Sequence, residues 1–198
     1  MTSNTLRICG LALAIVALLA APAMAHNHSG HELPGDEVDD DTAFDHMVRG
    51  IDVLPDREAM EERFPDAAQR LIDAAEDTEA TDFKRWRATS LLGNFKDDDV
   101  QKSLLGLTED EEPRIRAMAF YVLGTSFLED GDDGLFSYME AGLHDETHRV
   151  RANIVRSFGW TDHSGAHEML EEIADGGHKD EELHNVAALS LERLANKR

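Results

Sequence analysis

The stretch DETHRVRANIVRSFG at residues 145–159 closely repeats DEEPRIRAMAFYVLG at residues 110–124. Asp, Glu, an arginine, an aliphatic residue, a second arginine, an alanine and a closing glycine recur at the same offsets. A third copy ends at Gly93, and a weaker fourth copy, HNVAALSLERLA, occupies residues 184–195. A chain that restates one segment at a nearly constant interval is built from similar structural units, so the repeat limits the possible architectures more than any other feature.

Each copy has the pattern of an amphipathic helix. Pro113 suits the first turn of a helix, where its missing N–H is not needed, and Gly124 is predicted to end that helix with a left-handed backbone. Apolar residues recur at helical spacing in both of the clearest copies. The predicted shared core consists of Ile115, Val122, Leu123, Val150, Ile154 and Phe158.

A second amphipathic stretch follows each of the first three closing glycines after a polar turn. Each unit is therefore predicted to be a helix, a turn and a helix, and no segment shows the alternation typical of a strand. One helix pair cannot bury its own apolar face, whereas stacked pairs bury a continuous core. The sequence predicts an all-α solenoid of stacked antiparallel helix pairs over residues 81–198, with divergent capping helices over residues 44–80.

The repeats resemble HEAT repeats, in particular the short type of the phycobilisome-lyase-like branch. The resemblance is carried by Asp110 with Arg116, by Asp145 with Arg151, and by the alanine after each arginine. It implies that the arginine of one unit and the aspartate of the turn before it form a ladder along the stack. The fourth copy has Ala187 in place of the arginine, so it is predicted to cap the array.

The amino terminus has the order of a secretory signal peptide. Arg7 precedes an apolar run, and Ala23 and Ala25 stand in the spacing of a cleavage site. The sequence predicts a signal peptide over residues 1–25 that is cleaved after Ala25, and hence a periplasmic or secreted protein. The alternative is an uncleaved membrane anchor, although the apolar run is barely long enough to span a bilayer.

Residues 26–43 contain few large apolar side chains and many acidic ones. Such a segment cannot bury enough surface to offset the entropy lost on ordering, so a disordered, histidine-containing acidic tail is predicted.

The chain carries a formal net charge of −22, and its only cysteine, Cys9, lies within the predicted signal peptide. A surface this acidic repels nucleic acid and anionic lipids, so neither nucleic acid nor, after signal cleavage, a membrane is an expected partner. Cationic partners and metal ions are more compatible with this acidic surface.

Cleavage after Ala25 would expose the sequence HNH at a new amino terminus. The free amine of His26, two backbone nitrogens and the His28 ring are the donors of an amino-terminal copper- and nickel-binding motif, and His31 could add a ligand. Four nitrogens in a plane suit Cu²⁺ or Ni²⁺. The alternative is that a polar tail with histidines follows the signal by chance, since so short a motif has a high false-positive risk.

Four further histidines stand in pairs four residues apart: His144 with His148, and His163 with His167. Two histidines at that spacing on a helix can share a metal, but both pairs coincide with predicted turns, which favours solvated turn histidines. The helices also lack the His-Glu pairs that deoxyhypusine hydroxylase, a HEAT-like di-iron enzyme, carries in several repeats. No enzymatic activity is therefore predicted.

The function expected from these features is an exported, non-catalytic scaffold that binds a protein partner. In solenoids the second helix of each pair usually lines the concave face, and an aromatic residue in a turn can anchor a partner. The candidate binding residues on these grounds are Lys102, Tyr138, Trp160, His167 and Glu171. The alternative function is binding of Cu²⁺ or Ni²⁺ by the histidine-rich amino terminus.

Overall fold

The computed structural model describes residues 38–50 and 55–197. In this part of the chain all regular secondary structure is helical, as the sequence predicted. The predicted signal peptide and most of the predicted tail lie outside the described residues. The helices are α1 (Asp40–Arg49), α2 (Arg57–Arg63), α3 (Ala67–Glu76), α4 (Asp82–Leu92), α5 (Asp98–Leu107), α6 (Pro113–Val122) with a π-helical turn (Leu123–Phe127), α7 (Asp133–Gly142), α8 (His148–Phe158), α9 (Ser164–Ala174) and α10 (Glu182–Lys197).

Helix boundaries follow local chemistry that the sequence displays. The side chains of Asp97 and Asp132 accept hydrogen bonds from backbone amides in the first turns of α5 and α7. Such caps satisfy amides that have no partner within the helix. Pro113 occupies the first position of α6, as predicted.

Helix α1 begins inside the segment assigned to the tail. Residues 26–43 were expected to be disordered, but α1 starts at Asp40 because the Asp39 carboxylate caps the amide of Thr42 at 3.0 Å. Phe44 and Val48 of this helix are buried. Helix α1 contacts α4, so residues 40–43 belong to the packed helices and not to the tail to which composition alone assigned them.

The helices pack in a regular order. Helices α4, α6, α8 and α10 contact one another in sequence, and α3, α5, α7 and α9 each contact the helix that follows them. All six residues of the predicted shared core are buried in one hydrophobic cluster. In the described part of the chain, no helix is long and apolar enough to cross a membrane.

Two of the glycines that close the repeats allow neighbouring helices to pack closely, whereas the sequence predicted a left-handed backbone at Gly124. In the described residues only Gly131 and Gly176 have positive φ angles, so the prediction of a left-handed Gly124 is wrong, and α6 continues past it as the π-helical turn. A Cβ atom placed on Gly124 would lie 2.6 Å from the Cβ of Ser157, and one on Gly159 would lie 3.0 Å from the Cα of Ser190. Glycine is therefore needed because neighbouring helices approach closely at these points.

We expect Gly159→Ala to lower the free energy of unfolding by about 1–3 kcal/mol, the usual cost of overpacking. Its new methyl group would press on the Ser190 backbone, which cannot rotate away as a side chain can. Gly106→Ala is the matched control, because Gly106 lies in α5 with nothing within 4 Å of the added Cβ. That control should stabilise the protein by roughly 0.5–1 kcal/mol, since glycine is a poor helix former. Urea unfolding of both variants measures the contrast, and equal midpoints would contradict the close-approach explanation.

Candidate functional site

Three arginines on the first helices of the repeats each join an aspartate carboxylate to a backbone carbonyl oxygen; for Arg85 these acceptors are Asp110 and Ala75 of α3. Arg116 donates to both carboxylate oxygens of Asp145, at 2.9 and 3.2 Å, and to the carbonyl oxygen of Asp110 at 2.8 Å. Arg151 donates to the Asp180 carboxylate at 2.6 and 3.0 Å and to the carbonyl of Asp145 at 2.6 Å. We call this set the arginine ladder; its ion pairs are Arg85 with Asp110, Arg116 with Asp145, and Arg151 with Asp180.

The pairing differs from the one that the family resemblance implied. Each arginine was expected to pair with the aspartate of the turn before it, such as Arg116 with Asp110. The structure shows that the preceding turn offers its carbonyl oxygen, whereas the carboxylate comes from the following turn. One guanidinium therefore joins two successive turns, because its donors point in several directions from one plane.

Each ladder aspartate also organises its own turn. The Oδ1 atoms of Asp110, Asp145 and Asp180 accept hydrogen bonds from the amide two residues later, at 2.9, 2.7 and 3.2 Å. This local hydrogen bond fixes the orientation of the carboxylate that the arginine contacts. Sequence reasoning missed Asp180, although the spacing of 35 residues from 110 to 145 and from 145 to 180 could have revealed it.

The carboxylates of Asp145 and Asp180 are ionised at neutral pH. Burial raises the pKa of Asp180, but hydrogen bonds from His148 and Arg151 outweigh that effect and lower the pKa to about 2. Burial likewise raises the pKa of Asp145, and hydrogen bonds from Arg116 and the Thr147 amide reverse the direction, so that the net shift is downward. Ionised carboxylates held by guanidinium groups are suited to joining helices rather than to transferring protons.

Beside the second pair of the ladder lies an open groove of about 690 Å³. Five carboxylates and one guanidinium, that of Arg116, line it. Asp110 and Asp145 are already paired with ladder arginines. The remaining three acids are exposed, and within the described residues none forms an ion pair with a basic side chain; they are Glu109, Glu111 and Glu146. We call this cavity the acidic groove.

Two aromatic rings form an apolar part of the acidic groove. Phe120 of α6 and Tyr138 of α7 are stacked, with ring centroids 6.0 Å apart and an angle of 29° between the planes. The Tyr138 hydroxyl contacts the Thr108 hydroxyl at 2.5 Å, which holds the ring in place. The groove thus combines a fixed aromatic surface with uncompensated negative charge.

Of the predicted binding residues, the structure places only Tyr138 in the acidic groove. Lys102 and Glu171 are exposed on α5 and α9, and His167 is half-buried with its Nδ1 atom 3.5 Å from a Glu171 oxygen. Trp160 is 45% exposed, and the guanidinium carbon of Arg193 lies 4.7 Å from the centroid of its aromatic ring. The predicted residues therefore do not form one continuous site.

The groove acids were not predicted, although a signal for them exists in the sequence. Glu109 and Glu111 flank Asp110, and Glu146 follows Asp145, so the acidic turns of two successive repeats contribute them. In the structure the turns before α6 and α8 bring these acids into one groove, but the sequence alone does not show which side chains remain without an ion pair.

The histidines have mixed environments. His144 is exposed, which agrees with a solvated turn residue. The same interpretation is wrong for His163, which is 3% exposed and stacks on Phe136 with ring centroids 4.7 Å apart. Its burial follows from this aromatic contact, which the spacing of four residues could not reveal.

The proposed amino-terminal metal ligands His26, His28 and His31 lie outside the described residues, and their copper- or nickel-binding role stays a prediction. Comparison with known proteins adds no identity, because no family model, no curated protein and no solved structure matches this chain.

Proposed function

We propose that this chain is a non-catalytic scaffold, a solenoid of stacked HEAT-like helix pairs, that binds a cationic polypeptide segment in the acidic groove. The observation that carries the proposal is a set of three exposed carboxylates that surround a stacked aromatic pair and form no ion pair with a basic side chain in the described residues. The solenoid interpretation is supported by the contacts of α4, α6, α8 and α10 in chain order and by the three equivalent ion pairs of the arginine ladder. Export rests on the amino-terminal sequence alone.

A lysine- or arginine-rich segment has the chemistry that this groove complements. Its cations would meet Glu109, Glu111 and Glu146, and its alkyl stems or guanidinium planes would lie against the half-buried Tyr138 ring. Phe120 is only 5% exposed and stacks with that ring. Cations over aromatic faces are attracted by the ring quadrupole. The net charge of −22 would also speed the encounter with a basic partner, because long-range fields raise association rates.

The test must separate the groove from the general negative charge of the protein. The probe is a fluorescently labelled oligoarginine peptide, and its affinity is measured by anisotropy at several salt concentrations. The groove variant carries Glu109→Gln, Glu111→Gln and Glu146→Gln. The matched control removes the same charge from three exposed positions outside the groove, through Glu58→Gln, Glu79→Gln and Glu192→Gln.

We expect the groove variant to bind the peptide about tenfold more weakly than the control. Partly exposed ion pairs contribute roughly 0.2–1 kcal/mol each, and about 1.4 kcal/mol corresponds to tenfold in affinity. Equal losses in the two variants would show that attraction is non-specific, and this outcome would overturn the groove as the binding site.

A further inference from the structure

The last pair of the arginine ladder contains a histidine that the other two pairs lack. His148 opens α8 three residues before Arg151, where the equivalent residue before Arg116 is Pro113. The His148 Nδ1 atom lies 2.8 Å from Asp180 Oδ2, and its Nε2 atom lies 3.3 Å from Glu182 Oε2. Both nitrogens of one imidazole therefore lie near carboxylates, that of Asp180 in the turn before α10 and that of Glu182 at the first position of α10.

This arrangement contains the two features of a histidine metal site, which are one ring nitrogen held by a carboxylate and a second ring nitrogen available to a metal. A histidine that binds a metal commonly donates its other ring N–H to a carboxylate, which fixes the tautomer and the ring orientation. Asp180 is placed to accept a hydrogen bond from the Nδ1–H group of His148. Two nitrogens of Arg151 donate to the same carboxylate at 2.6 and 3.0 Å and hold it in position. With the proton on Nδ1, the lone pair is on Nε2, the nitrogen that lies 3.3 Å from Glu182 Oε2.

The separation of the two outward atoms matches that of two ligands on one ion. Zn–N and Zn–O bonds of about 2.0–2.2 Å at a tetrahedral angle place the two ligand atoms about 3.4 Å apart. The observed distance between His148 Nε2 and Glu182 Oε2 is 3.3 Å. The 2.8 Å contact of His148 Nδ1 with Asp180 is too short for two ligands of one ion, which assigns Asp180 to the supporting shell.

Access and local charge also favour a cation. The Glu182 side chain is 79% exposed and that of His148 is 39% exposed, so an ion can reach both atoms from solvent. Arg151 offsets the charge of Asp180, but Glu182 and its neighbour Glu181 have no ion pair with a lysine or arginine in the described residues. Gly176 and Gly177 precede this turn, and Gly176 has a φ of 91°.

We infer that His148 Nε2 and Glu182 bind a divalent transition-metal ion of the zinc class, with Asp180 as a positioning residue and with water at the remaining coordination positions. The ion would join the first turn of α8 to the first turn of α10. The competing arrangement is an imidazolium that donates to both carboxylates, and it differs from the metal site by the proton on Nε2. The site is separate from the acidic groove and does not depend on the proposed binding function.

The experiment is a zinc titration of the full chain, followed through the imidazole NMR signals of His148. Observation of one ring separates this site from the amino-terminal histidines. We expect zinc to shift the His148 signals in the wild type, and Glu182→Gln to weaken the response at least about tenfold, the lower end of what loss of even a supporting residue costs. Glu181→Gln is the charge-matched control and His144→Gln is the histidine control, and both should respond as the wild type does.

Equilibrium dialysis supplies a second measurement, in which His148→Gln should bind one zinc ion fewer than His144→Gln. The inference is overturned if zinc leaves the His148 signals unchanged. It is also overturned if Glu181→Gln weakens binding as much as Glu182→Gln does, because the effect would then be one of net charge.

Discussion

Replacing Phe158 with alanine is expected to lower the free energy of unfolding by about 3–5 kcal/mol. Phe158 is the last residue of α8, and its side chain is fully buried. Its ring packs against Phe136 of α7 with centroids 5.6 Å apart, so truncation would leave a cavity where the repeats meet. Because the free energy of unfolding of a domain is only about 5–15 kcal/mol, one such substitution removes a large part of the stability of the fold.

The measurement is urea unfolding followed by circular dichroism, with Phe83→Ala as the matched control. Phe83 lies on α4 and is 40% exposed, so the same truncation there should cost only about 1 kcal/mol. If the two variants unfold at the same urea concentration, Phe158 is not part of the core that this fold requires.

Replacing Arg116 with methionine is expected to lower the free energy of unfolding by about 1.5–3 kcal/mol, the contribution of a hydrogen bond to a charged group. Methionine keeps most of the side-chain volume, so the loss of stability measures the contribution of the guanidinium group. The change removes the donors to the Asp145 carboxylate and to the Asp110 carbonyl. It leaves Asp145, whose side chain is 14% exposed, without its arginine.

Arg114→Met is the control for the loss of positive charge on the same helix, because Arg114 is exposed and forms no ion pair within the described residues. Its effect should stay within about 0.5 kcal/mol, as for most surface substitutions. A double-mutant cycle with Asp145→Asn isolates the pair, and neighbours in one network usually show coupling of about 0.5–3 kcal/mol. A coupling energy near zero would mean that the ladder contacts do not stabilise the fold.

The three pairs of the arginine ladder recur at equivalent positions but differ in their detailed contacts and in their surroundings. The first two join turns through a guanidinium and a carboxylate, and only the third adds an imidazole and a further carboxylate at the edge of the pair. A position that repeats for structural reasons can therefore acquire different chemistry in one copy without loss of the structural contact. The proposed zinc site exploits this difference, whereas the proposed peptide site lies beside the second pair.

Much of the fold could be predicted because its signals are local or periodic. The spacing of Ile115, Val122, Val150 and Ile154 indicated which helix faces are buried, and all four side chains are buried. The helical period, the first-turn proline and the polar turns are properties of single segments. Arg85 precedes Gly93 by the same eight residues that separate the two clearer arginines from their closing glycines, and it forms an ion pair with Asp110.

The contacts between segments could not be predicted in the same way. Whether Arg116 meets the aspartate of the preceding or of the following turn depends on how far neighbouring helices are displaced along their axes. That displacement also decides that Gly124 and Gly159 face the serines of the next helix and that Phe120 and Tyr138 stack in the acidic groove.

The sequence by itself therefore determined the helices, their apolar faces and the positions that recur, because backbone hydrogen bonding and amphipathic spacing act within a few residues of each other. Only the tertiary structure decided which charged groups are paired and which stay free, because that depends on atoms about 30 residues apart coming within about 3 Å, the distance over which a hydrogen bond forms. Asp145 and Glu146 are adjacent acids in one turn, yet the first is bound by Arg116 and the second is exposed in the groove.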